Sequence, residues 1–417
     1  MNEQSKKWTL SPLGQVAQLV MGQSPESKYY SEEETGLPFL QGCADFQTRF
    51  PKHAVYCSQI KKVAPQNSIL FSVRAPVGRI NIADRSYIIG RGLAAIIGTG
   101  IEQNYLEHYL HFEGLSFRNA SQGSTFEAIN SRELCAWPIK YPTHKLEQSK
   151  IAEVLSTVDR AIEKTERLIA KQKRIKTGLM QDLLTRGIDE RGNLRSEETH
   201  EFKDSPLGRI PVEWGVVPLS MVVDLKVGYA FKSTWFSSDG VRLLRGENVG
   251  IGTPDWKDTR CLPAGSAEKF REYELAPDDL IIGMDRTFTK QGFKVSQLSL
   301  SDVPCLLVQR VGCFIPKQVT HNYMKLIIFS PTYQQQLLLQ QKGMDIPHLS
   351  KNEILSPWVP IPNESREMEL LSKIYEESRT VESMYNMELM KLRSLKNALM
   401  QDLLTGQVRV TSLLEEQ

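Results

Sequence analysis

The chain has 417 residues, with 51 Lys and Arg against 49 Asp and Glu, and 41% of its residues are apolar. That length suits two to four domains, each with ordinary core material. The net charge of +2 excludes a broadly basic DNA coat but leaves room for a locally basic groove. The apolar runs, such as Leu326–Phe329, fall far short of the roughly 18 residues of a membrane-spanning helix. The polar start, Met1 to Lys7, lacks the apolar core of a signal peptide. The six cysteines show no paired metal-binding spacing and read as reduced thiols of a cytoplasmic protein.

In chain order, residues 1–143 form a β-rich unit, with strand-like runs "SILFSV" and "RINIAD" between Gly, Pro and Asn turns. Residues 144–187 form one long helix. Its apolar seam runs Ile151, Val154, Leu155, Val158, Ala161, Ile162, Leu168, Ile169, Ile175, Leu179 and Leu183, near 3.5-residue spacing. Residues 188–209 read as a surface linker, because "DERGNLRSEETHEFKDSP" is polar and charged. A second β-rich unit follows over 210–363, with "LIIGM" and "VGCFI" as strands. A second long helix spans 364–406, with Leu371, Ile374, Tyr375, Val381, Tyr385, Leu389, Leu392, Leu395, Leu399 and Leu403 in its seam, and 407–417 is a tail. Pro142 and Pro362 precede the helices, and Gly187 and Gly406 stop them. About 43 helical residues span roughly 64 Å at 1.5 Å each. Neither helix can cover its own stripe, so the two are expected to pair antiparallel.

The chain repeats itself. "LMQDLLT" occurs at Leu179–Thr185 and again at Leu399–Thr405, 220 residues on. At the same offset Gly123 meets Gly343, Ile129 meets Leu349 and Glu133 meets Glu353. Trp8, Pro12, Leu13, Val16 and Gly22 match Trp214, Pro218, Leu219, Val222 and Gly228. "APQNSILFSVR" aligns with "APDDLIIGMDR", which sets Arg74 against Arg286, and Arg91 is set against Arg310. This is a duplicated unit of about two hundred residues rather than a short solenoid repeat.

No catalytic constellation emerges. There is no GxxxxGK[ST] phosphate loop, no Asn-Pro-Pro-aromatic tetrad and no GxSxG elbow. Pro277-Asp278, Asp285 and Lys290 miss the spacing of a nuclease metal site, and His108 and His111 form an HxxH pair without a third ligand. Charge does cluster. Arg49, Lys52, Lys61, Lys62, Arg74, Arg79, Arg85 and Arg91 face one acid, Asp84. In the other copy Arg286, Lys290, Lys294, Arg310, Lys317 and Lys325 face Asp302. A basic patch recurring in both copies is the footprint of polyanion binding.

The two β-rich units, the twin helices and the segments "LMQDLLTRGID", "LMQDLLTGQVRV", "SPLGRIPVEW", "RAPVGRINIAD" and "IGRGLAAI" together resemble the specificity (S) subunit of type I restriction-modification systems. The resemblance covers nearly the whole chain; "MDRTFTKQGFKV" departs from it in the second unit. It implies an α+β fold: two β-rich α/β target recognition domains, separated by two long antiparallel coiled-coil helices, with an internal two-fold repeat. It further implies a non-catalytic chain that reads double-stranded DNA and binds no cofactor itself. Two modification (methyltransferase) subunits would supply S-adenosylmethionine chemistry, and restriction subunits would supply ATP- and magnesium-dependent translocation and cleavage.

Two unlike readers on a fixed spacer predict an asymmetric bipartite target. Arg74, Arg79, Arg91, Arg286, Lys290, Lys294 and Arg310 are candidates for groove and phosphate contacts. Gln41 and Arg245, each following a matching leucine, suit the edges of adenine and guanine. The alternative from another class is a coiled-coil scaffold whose lobes bind proteins without reading DNA sequence.

Overall fold

In the computed structural model, residues 8–114, 116–117, 128–341 and 348–414 are described. The matched glycines Gly123 and Gly343 lie outside them, as do Met1 to Lys7. The chain divides into two units, residues 1–167 with 387–417, and residues 168–386. Each long helix contributes residues to both units.

In the first unit, the strands include β1 (Trp8–Pro12), β2 (Ala17–Met21), β3 (Leu37–Leu40), β4 (Ile69–Ser72), β5 (Ile80–Ile82), β6 (Tyr87–Ile89), β7 (Leu93–Gly98) and β8 (Pro138–Pro142). Helices are α1 (Gln103–Phe112), α2 (Ser131–Ala136) and the long α3 (Lys145–Thr185). An antiparallel sheet has the order β2-β7-β4-β5, β1 pairs antiparallel with β8, and β3 pairs parallel with β6. In the second unit the strands are β9 (Phe202–Ser205), β10 (Gly208–Pro211), β11 (Gly215–Pro218), β12 (Val223–Val227), β13 (Val241–Leu244), β14 (Leu280–Gly283), β15 (Val295–Gln297), β16 (Cys305–Leu307), β17 (Val311–Pro316) and β18 (Trp358–Ile361). Its helices include α4 (His321–Phe329), α5 (Lys351–Leu355) and the start of the long α6 (Ser365–Thr405). The topology repeats: β12-β17-β14-β15 form the sheet, β11 pairs antiparallel with β18, and β13 pairs parallel with β16. The matched residues Glu133 and Glu353 do the same job, closing capping boxes with Asn130 and Ser350 at the starts of α2 and α5.

The long helices run antiparallel within each unit. In the first, Glu166 of α3 pairs with Arg393 of α6 at 2.7 Å and Asp159 with Lys396 at 2.6 Å. In the second, Gln172 meets Ser378 at 3.3 Å and Lys176 pairs with Glu382. The repeated "LMQDLLT" is a packing element. Met180, Leu183 and Leu184 are buried in the second unit's core with Trp214, Leu371 and Tyr375. Met400, Leu403 and Leu404 are buried in the first unit's core with Ile151 and Leu155. Gly187 and Gly406 stop the helices in the left-handed region, at φ +64° and +76°. Three expected seam residues, Ile175, Val381 and Leu395, are instead 49%, 38% and 48% exposed. Polar contacts hold the helices beside these positions, at Gln172 and Lys176 in the second unit and at Asp159 and Glu166 in the first, while Ile169 and Leu389 keep parts of the seam buried.

The end of each long helix is fastened to the start of the other by a buried carboxylate. Glu147, in the first turn of α3, is 1% exposed and accepts both arms of Arg409, at 2.5 and 2.6 Å. Glu367, in the first turn of α6, is 8% exposed. It pairs with Arg195 and accepts from Trp214 Nε1 and the Ile188 N–H, both at 3.1 Å. The segment expected as a surface linker is therefore structured. Ile188 and Arg195 are buried, and β9 and β10 form an antiparallel hairpin. One arginine closing on a buried acid outweighs the polar composition around it.

His108, on α1, is packed rather than surface-exposed: it is 2% exposed and its Nε2 lies 3.0 Å from Ser156 Oγ of α3. Burial holds its imidazole well below the ordinary value, at about 4, against the pull of Asp159. An unfolded histidine titrates near 6.5, so between those values the unfolded chain binds the extra proton. This contribution to stability is complete above about pH 6.5 and is lost as pH falls toward 4. Urea unfolding at stepped pH should show that loss in the native chain, and a smaller one in His108→Gln. Separately, Arg195→Met leaves Glu367 buried without its cation and should cost about 3–5 kcal/mol by urea unfolding. Arg209→Ala, which breaks an exposed pair with Glu197, should cost under about 1 kcal/mol.

Candidate nucleic-acid interface

In the first unit, three loops that leave β3, β4 and β6 are tied together by their backbones. The Gly90 N–H donates to the Leu40 carbonyl (2.8 Å), Gly92 to Gln41 (3.3 Å), and Val73 to Gly92 (3.0 Å). This rim gathers Gln41, Arg74, Arg79 and Arg91, all exposed. Ser24, which sequence reasoning missed, links two of them: its hydroxyl bonds the Gln41 amide at 3.0 Å and accepts the Arg91 N–H at 3.3 Å. Arg79 Nη1 reaches the Cys43 carbonyl at 3.4 Å. Among the described residues, the guanidinium groups of Arg74 and Arg91 have no hydrogen-bond or ion-pair partner. Gly92 is required by close approach, since a Cβ there would meet the Gln41 carbonyl oxygen at 2.7 Å.

The second unit builds the same rim from different side chains. Val308 donates to Leu244 (3.2 Å), Met284 to Arg310 (2.9 Å) and Leu349 to Met284 (2.9 Å), the last matching Ile129 to Val73 in the first unit. Leu40 and Leu244 occupy equivalent strand ends, so Gln41 and Arg245 do correspond. The arginines do not correspond as the sequence alignment suggests. Left-handed turn residues Asn67 (φ +66°) and Asp278 (φ +73°) fix the strand register, which sets Arg74 opposite Asp285 and Arg91 opposite Gln309. Arg286 and Arg310 each stand one position further on.

Arg245 is held inside the protein. Its side chain is 13% exposed, paired with Glu247 at 2.5 Å and Asp258 at 3.1 Å. Lys294 donates to the Gly246 carbonyl at 2.5 Å. Burial lowers its ammonium below the ordinary value, opposed by the Asp285 and Glu247 carboxylates. Arg286 and Lys290 are exposed and have no side-chain partner among the described residues. Asp285, adjacent to Arg286, pairs instead with Arg310 at 3.0 Å and His348 at 2.6 Å. Lys325, counted in the basic stretch, is buried against Glu376 at 3.5 Å and leaves the surface patch. Among the described residues no group of three His, Cys, Asp or Glu side chains could hold a metal ion.

Arg286 and Arg310 adopt φ +48° and +62°, a region that favours glycine. Arg286→Gly relieves that strain without removing a partner. It should stabilise the chain by roughly 0.5–1 kcal/mol, read as a raised urea midpoint.

The pattern of the type I restriction modification DNA specificity domain matches residues 5–172. The type I restriction enzyme MjaVIII specificity subunit of Methanocaldococcus jannaschii is 30% identical over 66% of this chain and 63% of its own length. The EcoAI specificity subunit of Escherichia coli is 31% identical over 40% of this chain, and the match spans 28% of that relative. The chain thus aligns to less than two thirds of these relatives' own lengths. A crystal structure of the S subunit from M. genitalium shares the fold, with a TM-score of 0.60 at 16% identity, covering 97% of this chain and 98% of that one.

Proposed function

We propose that this chain is a specificity subunit of a type I restriction-modification system and that it reads an asymmetric, two-part DNA sequence; its likeness to such subunits in sequence and fold supports that reading. The observation that carries the reading is the repeated rim: one backbone frame, built in both units, that presents unlike side chains. A similar frame fixes where a groove contact is made, and the differing residues set which bases are accepted. Gln41 in one unit and the exposed cations of the other cannot select the same base pattern, so the half-sites differ. Arg74, Arg79, Arg91, Arg286, Lys290 and Arg310 supply cations toward phosphates or guanine edges.

In this reading the chain performs no chemistry. It positions two modification subunits, which carry S-adenosylmethionine, and restriction subunits, which use ATP and magnesium. No helix among the described residues is long and apolar enough to cross a membrane, and the working compartment proposed is the cytoplasm. α3 and α6, at 41 residues each, serve as the spacer that sets the distance between half-sites.

Methylome sequencing of a host carrying this chain with its partner subunits tests the proposal and should return two unlike half-sites. Exchanging residues 210–363 for the equivalent unit of another family member should change one half-site and leave the other intact. A chain that supports methylation without sequence preference would instead be a protein-binding scaffold.

A further inference from the structure

We infer that Asp285, His348 and Arg310 form a clamp for a DNA backbone phosphate in the second unit, with His348 a further contact residue and Asp285 its positioning residue. The inference rests on the DNA-reading function proposed above.

An acid at a polyanion-binding rim needs an explanation. Asp285 stands where the first unit has Arg74, and a bare carboxylate there would repel a phosphate. It is not bare. One oxygen accepts from His348 Nδ1 at 2.6 Å and the other from Arg310 Nη1 at 3.0 Å. Burial would raise the Asp285 carboxyl, but these two bonds outweigh it and hold the carboxyl below its ordinary value. The carboxylate therefore acts as a brace between two side chains that remain 45% and 66% exposed.

The brace also fixes the imidazole. A carboxylate partner requires the proton on Nδ1, which leaves Nε2, on the far side of the ring, for a ligand. When the ring is neutral, Nε2 is an acceptor and a phosphate has nothing to bond. When the ring is protonated, Nε2 donates, and Arg310, His348 and Asp285 together carry one net positive charge. That equals the charge Arg74 supplies directly in the first unit. The other charged groups around the ring are Arg286, next to Asp285, Lys294 beyond β14, and Glu353 on α5. Glu353 is occupied by its capping bonds to Ser350, at 2.7 and 2.8 Å.

DNA binding by this unit should therefore take up a proton. The test is fluorescence anisotropy on the full chain assembled with its modification subunits, against a duplex carrying the methylated motif and an unrelated duplex. Affinity is measured between pH 6 and 8 at several salt concentrations. The wild type should lose affinity about three- to tenfold more steeply across that range than His348→Gln, on both duplexes. Its salt slope at the acid end should exceed that of the variant by about one unit. His348→Arg should keep the acid-end slope up to pH 8, and Asp285→Asn, which removes the brace, should reduce the proton-dependent component. Matching thermal melts exclude unfolding as the cause. If His348→Gln and wild type give the same pH profile and salt slope while both bind the motif, the clamp is overturned and DNA reading stands. If the wild type shows no sequence-specific binding at any pH, both readings fall.

Discussion

The fold depends on a buried carboxylate at the first turn of each long helix. Glu147 and Glu367 are nearly inaccessible to water, and an unpaired charge in that position would be prohibitively costly to desolvate. Each is answered by an arginine that follows the other long helix, Arg409 or Arg195. The ion pair thus does more than join two side chains. It specifies which end meets which start, and so fixes the antiparallel register that the apolar seam alone leaves loose where Ile175, Val381 and Leu395 face solvent.

From that junction the β-rich units gain rigid roots. Trp214 donates to Glu367, and the strand that follows, β11, pairs with β18, which leads into α6. The loops of the rim are then tied to one another by main-chain hydrogen bonds rather than by side chains. Side chains at Gln41, Arg74, Arg91, Arg245, Arg286 and Arg310 are left to vary in charge and exposure without altering the frame. In the second unit that variation reaches the point of replacing a cation with an acid, because the neighbouring Arg310 and His348 are placed to bind it.

The duplication, the long helices and the strands were legible because they rest on local periodicity and on identities such as "LMQDLLT". The capping boxes at Glu133 and Glu353 were visible as matched residues, though their role was not. Register was misread by one position at Arg74 and Arg286, since matching Ala-Pro and Arg pairs outvoted the turn geometry at Asn67 and Asp278. The stretch around Arg195 reads as a linker because composition averages over residues, whereas one buried ion pair decides its structure. Arg245 gave no sign that Glu247 and Asp258 would enclose it, as Asp258 comes from a loop thirteen residues on. Glu147 and Glu367, 220 residues apart like the two copies of "LMQDLLT", were the available signal for the junction.

The unequal make-up of the two units bears on their order of assembly during synthesis. The second unit is one continuous stretch, residues 168–386, whereas the first needs residues 387–414 to complete its core with Met400, Leu403, Leu404 and Val410. Contacts separated by more than two hundred residues form slowly, after the chain between them has been made. The unit translated first is therefore the one finished last. Until α6 emerges, Ile151 and Leu155 lack the side chains of Met400, Leu403 and Leu404 that share their core. A stop codon near residue 390 would spare the second unit and ruin the first, the reverse of what position along the message suggests.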